Sequence, residues 1–349
     1  MSSNPVPAAL ERVSAELARD PLIIQGAGGN TSLKSDGILW IKASGSWLVD
    51  AEKKPIFVPL LLSKVLNNIF AEKADSLADA RLPDRKTEVL KPSIEAALHA
   101  VMPHAAVIHA HAVNCTTTAL LADGRARFEQ AMSQDLRGLY LPYATPGLLL
   151  ANAVREAVKG NSPPDVVLLQ NHGVVVGAEC PDDAANLLRE VERRLEFVPR
   201  SLSRPDRNSL SAFEGTPYRA FPAGSGMALD PYLFNLLTTS AFTPDQIVFL
   251  GGPVPAIRHD DDIELAARLI EKECGMAPAL ILQEGVGAFV RRDASPGTEV
   301  IIRWLLHIAE RIPEGAEVLS LPTREVANLL GWDAERYRMK LDRDRQAGS

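Results

Sequence analysis

The run KPSIEAALHAVMPHAAVIHAH, from Lys91 to His111, constrains this chain more than any other stretch, and Asn171-His172-Gly173 completes it. Side chains along a strand alternate between its two faces, so His109 and His111, two residues apart, project to the same side. Both imidazoles can then reach one ion. A third imidazole, His172, stands on a tight turn, and Glu95 can occupy or guard a remaining position. Three protein ligands beside an open site is the arrangement of a catalytic metal. The His-x-His pair alone is weak, because seven histidines in 349 residues make a chance pair common; its neighbours give it weight. Glu95 also has a plainer reading, as an acidic partner for the positive end of a helix dipole.

The rest of the chain reads in order around this stretch. Residues 5 to 20 space Leu10, Val13 and Leu17 as on a helix, which Asp20-Pro21 closes. Gln25 to Lys34 is a glycine-rich loop, but Thr31 and the strand after it deny a dinucleotide fingerprint, which counts against a nucleotide-dependent oxidoreductase. Gly37 to Lys42 reads as a strand, and Ala43 to Ser46 as a second small-residue loop. With Lys42, the two loops are either plain hairpin turns or a nest for an anion, phosphate above all.

Ser63 to Ala80 reads as a surface helix. Pro92 starts another, with Ser93 and Glu95 in its first turn and His99 on the same face as Glu95, while His104 reads as a surface residue. Ala105 to His111 is the ligand strand, followed by a helix from Asn114 to Leu121. Leu139 to Ala144 makes a short strand, Leu148 to Lys159 a helix, and Asp165 to Gln170 a buried strand. Val174 to Val176 returns after the turn, and a helix runs from Asp182 or Asp183 to about Phe197.

Residues 199 to 228 are rich in Pro, Ser, Gly and Arg and read as a linker or wrapping arm between a domain over 1–198 and a smaller α/β extension over 229–349. In the extension a helix starts at Pro231, Gln246 to Leu250 reads as a strand and Asp262 to Glu273 as a helix, and the chain ends with Thr323 to Leu330, Gly331 and a charged helix to about Asp344. Pro278 to Val290 and the helix after it echo Asp165 to Gly177 and its helix, as a degenerate repeat or as two coincident ββα units. The second copy has Glu284 at its turn and no histidine there.

Composition narrows the partners. A net charge of −7 argues against nucleic acid as the main ligand. No apolar run approaches the ~20 residues of a membrane span, and the N-terminus lacks the pattern of a secretory signal. Cys115, Cys180 and Cys274 are scattered and read as reduced core residues. A cytoplasmic protein is the expectation.

Six ordered segments resemble the class II aldolase/adducin family, the zinc aldolases of fuculose-1-phosphate and rhamnulose-1-phosphate. They are Gly28-Gly29-Asn30-Thr31-Ser32, Lys42-Ala43-Ser44-Gly45, Pro92-Ser93-Ile94-Glu95, His109-Ala110-His111, Pro142 to Gly147, and Asn171-His172-Gly173. In the spacing from Glu95 to His109 the chain is most similar to the aldolase-like half of aldolase/short-chain-dehydrogenase fusions. Ile94 stands where family aldolases carry a second Ser, and Tyr140 and Tyr143 are the tyrosines near the place of a proton donor.

The resemblance implies a three-layer α/β/α fold with a mixed, largely antiparallel central sheet. It implies metal ligands His109, His111 and His172, with Zn²⁺, or else Mn²⁺ or Co²⁺, as the ion. Glu95 would be the general acid/base, and Gly29, Asn30, Thr31, Lys42, Ser44, Gly45 and Ser93 would hold a substrate phosphate. The implied reaction is reversible aldol cleavage of a ketose or ketose phosphate through a metal-stabilised enediolate. An epimerase or dehydratase at the same metal, or an adducin-like non-catalytic scaffold, are the alternatives. The resemblance also implies a homo-oligomer, a tetramer.

Overall fold

A computed structural model describes residues 6–73, 77–133, 135–160, 162–205 and 215–347. The chain divides into two compact units, Met1–Ala119 with Asp123–Glu196, and Leu120–Ala122 with Phe197–Ser349.

The first unit is built on seven strands: β1 (Asn30–Ser35), β2 (Ile38–Lys42), β3 (Phe57–Leu61), β4 (Ala106–Ala110), β5 (Gly138–Leu141), β6 (Val166–Leu169) and β7 (Gly173–Ala178). They lie in the order β3-β2-β1-β4-β7-β6-β5, and every pairing is antiparallel except β5 with β6. The strand carrying the histidines is therefore in the middle of the sheet. Asp36 and Gly37 both take positive φ, the backbone a two-residue hairpin between twisted strands requires, and so join β1 to β2.

Among the described residues, seven helices cover the sheet: α1 (Ala8–Leu17), α2 (Leu62–Phe70), α3 (Ala96–Val101), α4 (Val113–Leu120), α5 (Gly124–Met132), α6 (Leu148–Ala157) and α7 (Pro181–Arg194). Alternation along β4 sorts them into layers. Ala106, Ile108 and Ala110 pack with Leu10 and Leu17 of α1, Cys115 of α4, Phe128 of α5 and Leu188 of α7. Val107 faces the other way, into Leu98 of α3 and Leu150 and Val154 of α6. The result is the expected three-layer fold. Burial of each such large apolar side chain contributes about 1.5–3 kcal/mol. His109 and His111 follow the parity of Val107, toward α3.

Several boundaries differ from the sequence reading. Asn30 to Ser35 is strand rather than loop, since it pairs on both sides. The helix expected over 63–80 stops at Phe70, a 3₁₀ turn follows at Ala78–Ala80, and 74–76 lie outside the described residues. The helix expected from Pro92 begins only at Ala96. Pro92 instead bridges Ala43, and the Ser93 N–H donates to the Lys42 carbonyl, so the 91–93 segment lies against the chain at the end of β2. His104, expected at the surface, is buried with Nε2 2.8 Å from Asp165 Oδ1. Cys115 is a buried free thiol as expected, whereas Cys180 is only partly buried, and the Cys274 side chain lies outside the described residues.

The second unit holds a four-stranded sheet of β8 (Tyr218–Ala220), β9 (Ala256–Ile257), β10 (Leu280–Gln283) and β11 (Gly287–Arg291), ordered β8-β11-β10-β9. Strand β8 falls inside the segment expected to be a linker, of which 206–214 lie outside the described residues. The expected strand over Gln246 to Leu250 is part of a helix, Pro244–Leu250.

The suspected repeat is visible in the pairing. Strand β10 pairs antiparallel with β11 and parallel with β9, as β6 does with β7 and β5; β11 then pairs antiparallel with β8, as β7 does with β4. Both hairpins close Gly on the strand's last residue, Leu169↔Gly173 and Gln283↔Gly287. Both turns place a left-handed residue in the middle, Asn171 (φ 54) and Gly285 (φ 69). A helix follows each, α7 and Pro296–Ala309. Among the described residues, no helix is long and apolar enough to cross a membrane.

Candidate metal centre

Two glycines let the sheet close on the histidine end of β4. A Cβ on Gly29, at the head of β1, would lie 2.7 Å from the His109 carbonyl, and Gly29 takes φ 64. A Cβ on Gly173, at the head of β7, would lie 2.5 Å from the Ala110 carbonyl and 3.0 Å from the His111 ring. The turn before Gly173 delivers His172. Asn171 adopts φ 54 there, a conformation Asn tolerates better than most side chains, and the His172 N–H donates to the Leu169 carbonyl at 3.1 Å.

The three imidazoles meet in a buried cluster, each offering a nitrogen within 4.8 Å of the others. His109 Nδ1 is 3.0 Å from the Val174 carbonyl, which can only accept, so this nitrogen carries the hydrogen. That leaves His109 Nε2 as a lone pair, and it lies 3.0 Å from His111 Nε2. Two imidazole nitrogens bound at about 2.05 Å with a tetrahedral angle between them would stand ~3.3 Å apart. The carbonyl behind His109 is the outer partner that fixes a ligand's tautomer and orientation.

Glu95 sits at the N-cap of α3 and faces the cluster, with Oε1 3.5 Å from His109 Nε2 and 3.6 Å from His172 Nε2. This Oε1 is buried without a hydrogen-bond donor. An acceptor so placed costs free energy unless a cation or proton meets it. The four residues therefore fit a divalent ion. The opposite oxygen, Oε2, accepts from the Asn30 amide at 2.6 Å. Burial pushes the Glu95 carboxyl upward, whereas positive charge on His109 and His172, when those rings are protonated, and the Asn30 amide pull it below the ordinary carboxylate range. Glu95 is thus a carboxylate at neutral pH.

The remaining expected residues divide. Asn30 pairs with His109 in register and shares its face; its amide also lies 3.3 Å from Ser93 Oγ, which accepts the Glu95 N–H. Thr31, one residue on, faces the other layer, with Oγ1 2.6 Å from Ser14 Oγ on α1. Strand alternation forbids both neighbours from reaching the site, so Thr31 is withdrawn from it. Lys42 is buried with its ammonium donating to the carbonyls of Ala27 and Gly29, at 2.6 and 2.8 Å. It holds the glycine loop in place rather than presenting its charge to an anion. Ser44 and Gly45 lie in a turn that the Ala43–Pro92 bridge and the Ser44 N–H on the Lys91 carbonyl bring beside Ser93.

Two contributors escaped the sequence reading. Glu192 of α7 accepts the N–H groups of Asn114 and Cys115 at 2.7 and 3.0 Å, capping α4 just after His111. His99, placed on the Glu95 face by spacing, proves fully buried between Asn30 and Ser32. Its i+4 relation to Glu95 was the available signal; nothing local pointed to Glu192, 78 residues from Asn114.

Comparison with known proteins bears on the same region. The profile of the class II aldolase and adducin N-terminal domain matches residues 9–198. The uncharacterised oxidoreductase YuxG of Bacillus subtilis is 26% identical over 229 residues, covering 59% of this chain and 31% of that protein. The chain thus spans about a third of that relative's length. An L-fuculose phosphate aldolase of Methanococcus vannielii is 26% identical over 166 residues, 46% of this chain and 77% of the aldolase. A solved class II aldolase domain from Thermoplasma acidophilum is similar at 22% identity and a TM-score of 0.47, over 56% of this chain and 95% of that one. With more than half of its 349 residues inside the matched domain, this chain belongs to the class II aldolase and adducin family.

Proposed function

We propose that this chain is a divalent-metal-dependent lyase that reversibly cleaves a carbon–carbon bond in a ketose or ketose phosphate. The observation that carries the reading is the aim of Glu95 Oε1, 3.5 and 3.6 Å from two of three converging histidines. His109, His111 and His172 would hold the ion, with zinc the best match to three imidazoles. A bound ion would supply Lewis-acid stabilisation of the negative charge that develops on the substrate's oxygens.

The chain's own residues supply the rest. In the cleavage direction a proton leaves the hydroxyl next to the breaking bond, and one is returned to the carbon that keeps the bonding electrons. Glu95, ionised and buried, is the group placed to hold and move that proton, at Oε1. Asn30 holds the other oxygen and keeps the carboxylate in one orientation. The withdrawal of Thr31, the engagement of Lys42 with its own loop and the Ile94 departure leave little to grip a phosphate. They favour an unphosphorylated ketose over its phosphate. The retained ligand set and carboxylate favour an enzyme over a scaffold.

The test is metal analysis of purified protein beside His172→Ala, followed by cleavage assays with ketoses and ketose phosphates. About one divalent ion per chain, lost in the variant, and metal-dependent aldehyde release are expected. Metal-free protein that stays so after incubation with excess zinc would sink the reading. Metal-dependent epimerisation or dehydration without cleavage would move the reaction to those classes. Light scattering tests the oligomer: a mass near the 37.8 kDa of one chain would remove the proposed tetramer.

A further inference from the structure

One buried ionisable group beside the site has no part in the chemistry above. His99, on α3 one turn beyond Glu95, has no accessible surface, and both of its ring nitrogens are engaged. Nε2 meets Asn30 Oδ1, and Nδ1 lies 2.7 Å from Ser32 Oγ. Asn30 and Ser32 are two apart on β1 and so share a face.

The direction of each hydrogen bond follows from the Asn30 amide, whose NH₂ donates to Glu95 Oε2 at 2.6 Å and reaches Ser93 Oγ at 3.3 Å. Asn30 Oδ1 then points at His99, and a carbonyl oxygen also only accepts. His99 must carry its hydrogen on Nε2, which leaves Nδ1 to accept from the Ser32 hydroxyl. Donation therefore runs one way, from Ser32 to His99 to Asn30 to Glu95. Burial holds the ring neutral, pushing its protonation down to about 3 against the pull of Glu95. A neutral ring with one hydrogen has one orientation that satisfies both neighbours.

We propose that His99, as the neutral Nε2–H tautomer, is a positioning residue that locks the Asn30 amide and, through it, aims Glu95 Oε1 at the three histidines. Without the Nε2–H donor the amide can flip and present its oxygen to the carboxylate, and the carboxylate swings away. The inference rests on the lyase reading for its kinetic consequence, but its structural content is separable from it.

The experiment uses the zinc-loaded full chain, His99→Phe and His99→Gln. A glutamine amide can still donate to Asn30, and a phenyl ring cannot. His99→Phe should keep its metal and lose kcat by about a hundredfold with KM little changed, the cost of a misplaced catalytic group. His99→Gln should recover most of that loss. Nitrogen-15 NMR of the wild-type histidine ring should show the hydrogen on Nε2. A ring protonated on Nδ1, or a metal-bearing His99→Phe with wild-type kcat, would overturn the proposal. If the wild-type protein cleaves no ketose or ketose phosphate, the lyase reading fails by itself, and the NMR tautomer alone upholds or overturns the relay. If His99→Phe does not fold, wild-type NMR and the kinetics of His99→Gln decide it, since a Gln variant as slow as an Asn30→Ala control counts against the relay.

Discussion

Gly173 shows how little room the histidine cluster leaves. A methyl group there meets the Ala110 backbone at 2.5 Å, so neither partner can yield without shifting β4 against β7. Gly173→Ala is expected to destabilise the fold by about 1–3 kcal/mol, the range of overpacked cores. It should weaken metal binding at the same time, because the displaced backbone carries His111 and His172. Gly37→Ala makes the control: nothing lies within 4 Å of its added carbon, and only its φ of 76 is strained. That variant should lose about 1 kcal/mol and keep full metal affinity. Urea denaturation and metal titration of the two proteins separate the cases. His99 gives a second prediction at this scale. Its folded protonation midpoint, near 3, is below the ordinary 6.5, so the unfolded chain binds the extra proton first. The contribution is intact above pH ~6.5 and is lost by about 1.4 kcal/mol for each pH unit below it, down to about 3. The metal-free wild type should therefore lose stability with acid more steeply than metal-free His99→Gln. Parallel curves between pH 6.5 and 4 would show that the buried ring does not resist protonation.

Among the elements, α4 depends most on a distant partner. It starts two residues after His111, and its first-turn N–H groups at Asn114 and Cys115 end on one carboxylate, Glu192. An anion at a helix N-terminus satisfies those donors and the helix dipole together. Glu192→Ala buries two donors without that acceptor and should cost about 2–4 kcal/mol. Unchanged urea midpoints would refute the cap. This contact was invisible in the sequence because α7 reads as an ordinary amphipathic helix whose acidic residues face water. The histidine strand, in contrast, is legible, since a period of two suffices to place His109 and His111 on one face. Thr31 was misread for the same reason in reverse: taken as loop, it could face the site with Asn30, and as strand it cannot. Gln246 to Leu250 was misread as a strand from its apolar run. The Thr243 hydroxyl accepting the Gln246 N–H, Pro244 in the first turn and left-handed Gly251 at the end form a helix signature that outweighs β propensity. Helix α5, Gly124–Met132, has a weak signature in the sequence, because only Phe128 and Met132 among its large residues reach the core.

At the scale of the whole molecule, the second sheet repeats the pairing of β4, β7, β6 and β5, and the register says what became of the site. His109 pairs with Val175, two residues after the hairpin glycine; the residue paired with Phe289, two after Gly287, is Ala220. Two residues further, Pro222 stands in the place of His111. In the turn, Val286 takes the place of His172, with its N–H on the Gln283 carbonyl at 3.0 Å as the His172 N–H is on Leu169. The repeat is offset by one residue from the match of sequence alone, since Gln170 lies in its turn whereas Gln283 ends its strand. All three ligand positions have lost their nitrogen donors, and Val286 is buried among apolar neighbours. The second copy keeps the scaffold and not the chemistry, because the strand pairing needs only apolar alternation and a glycine turn, while a metal needs particular side chains. One ion per chain is therefore the expected stoichiometry, and the His109→Ala, His111→Ala double variant should bring it to zero. A second equivalent of tightly held metal that survives in that variant would show a site in the chain other than the His109, His111 and His172 cluster.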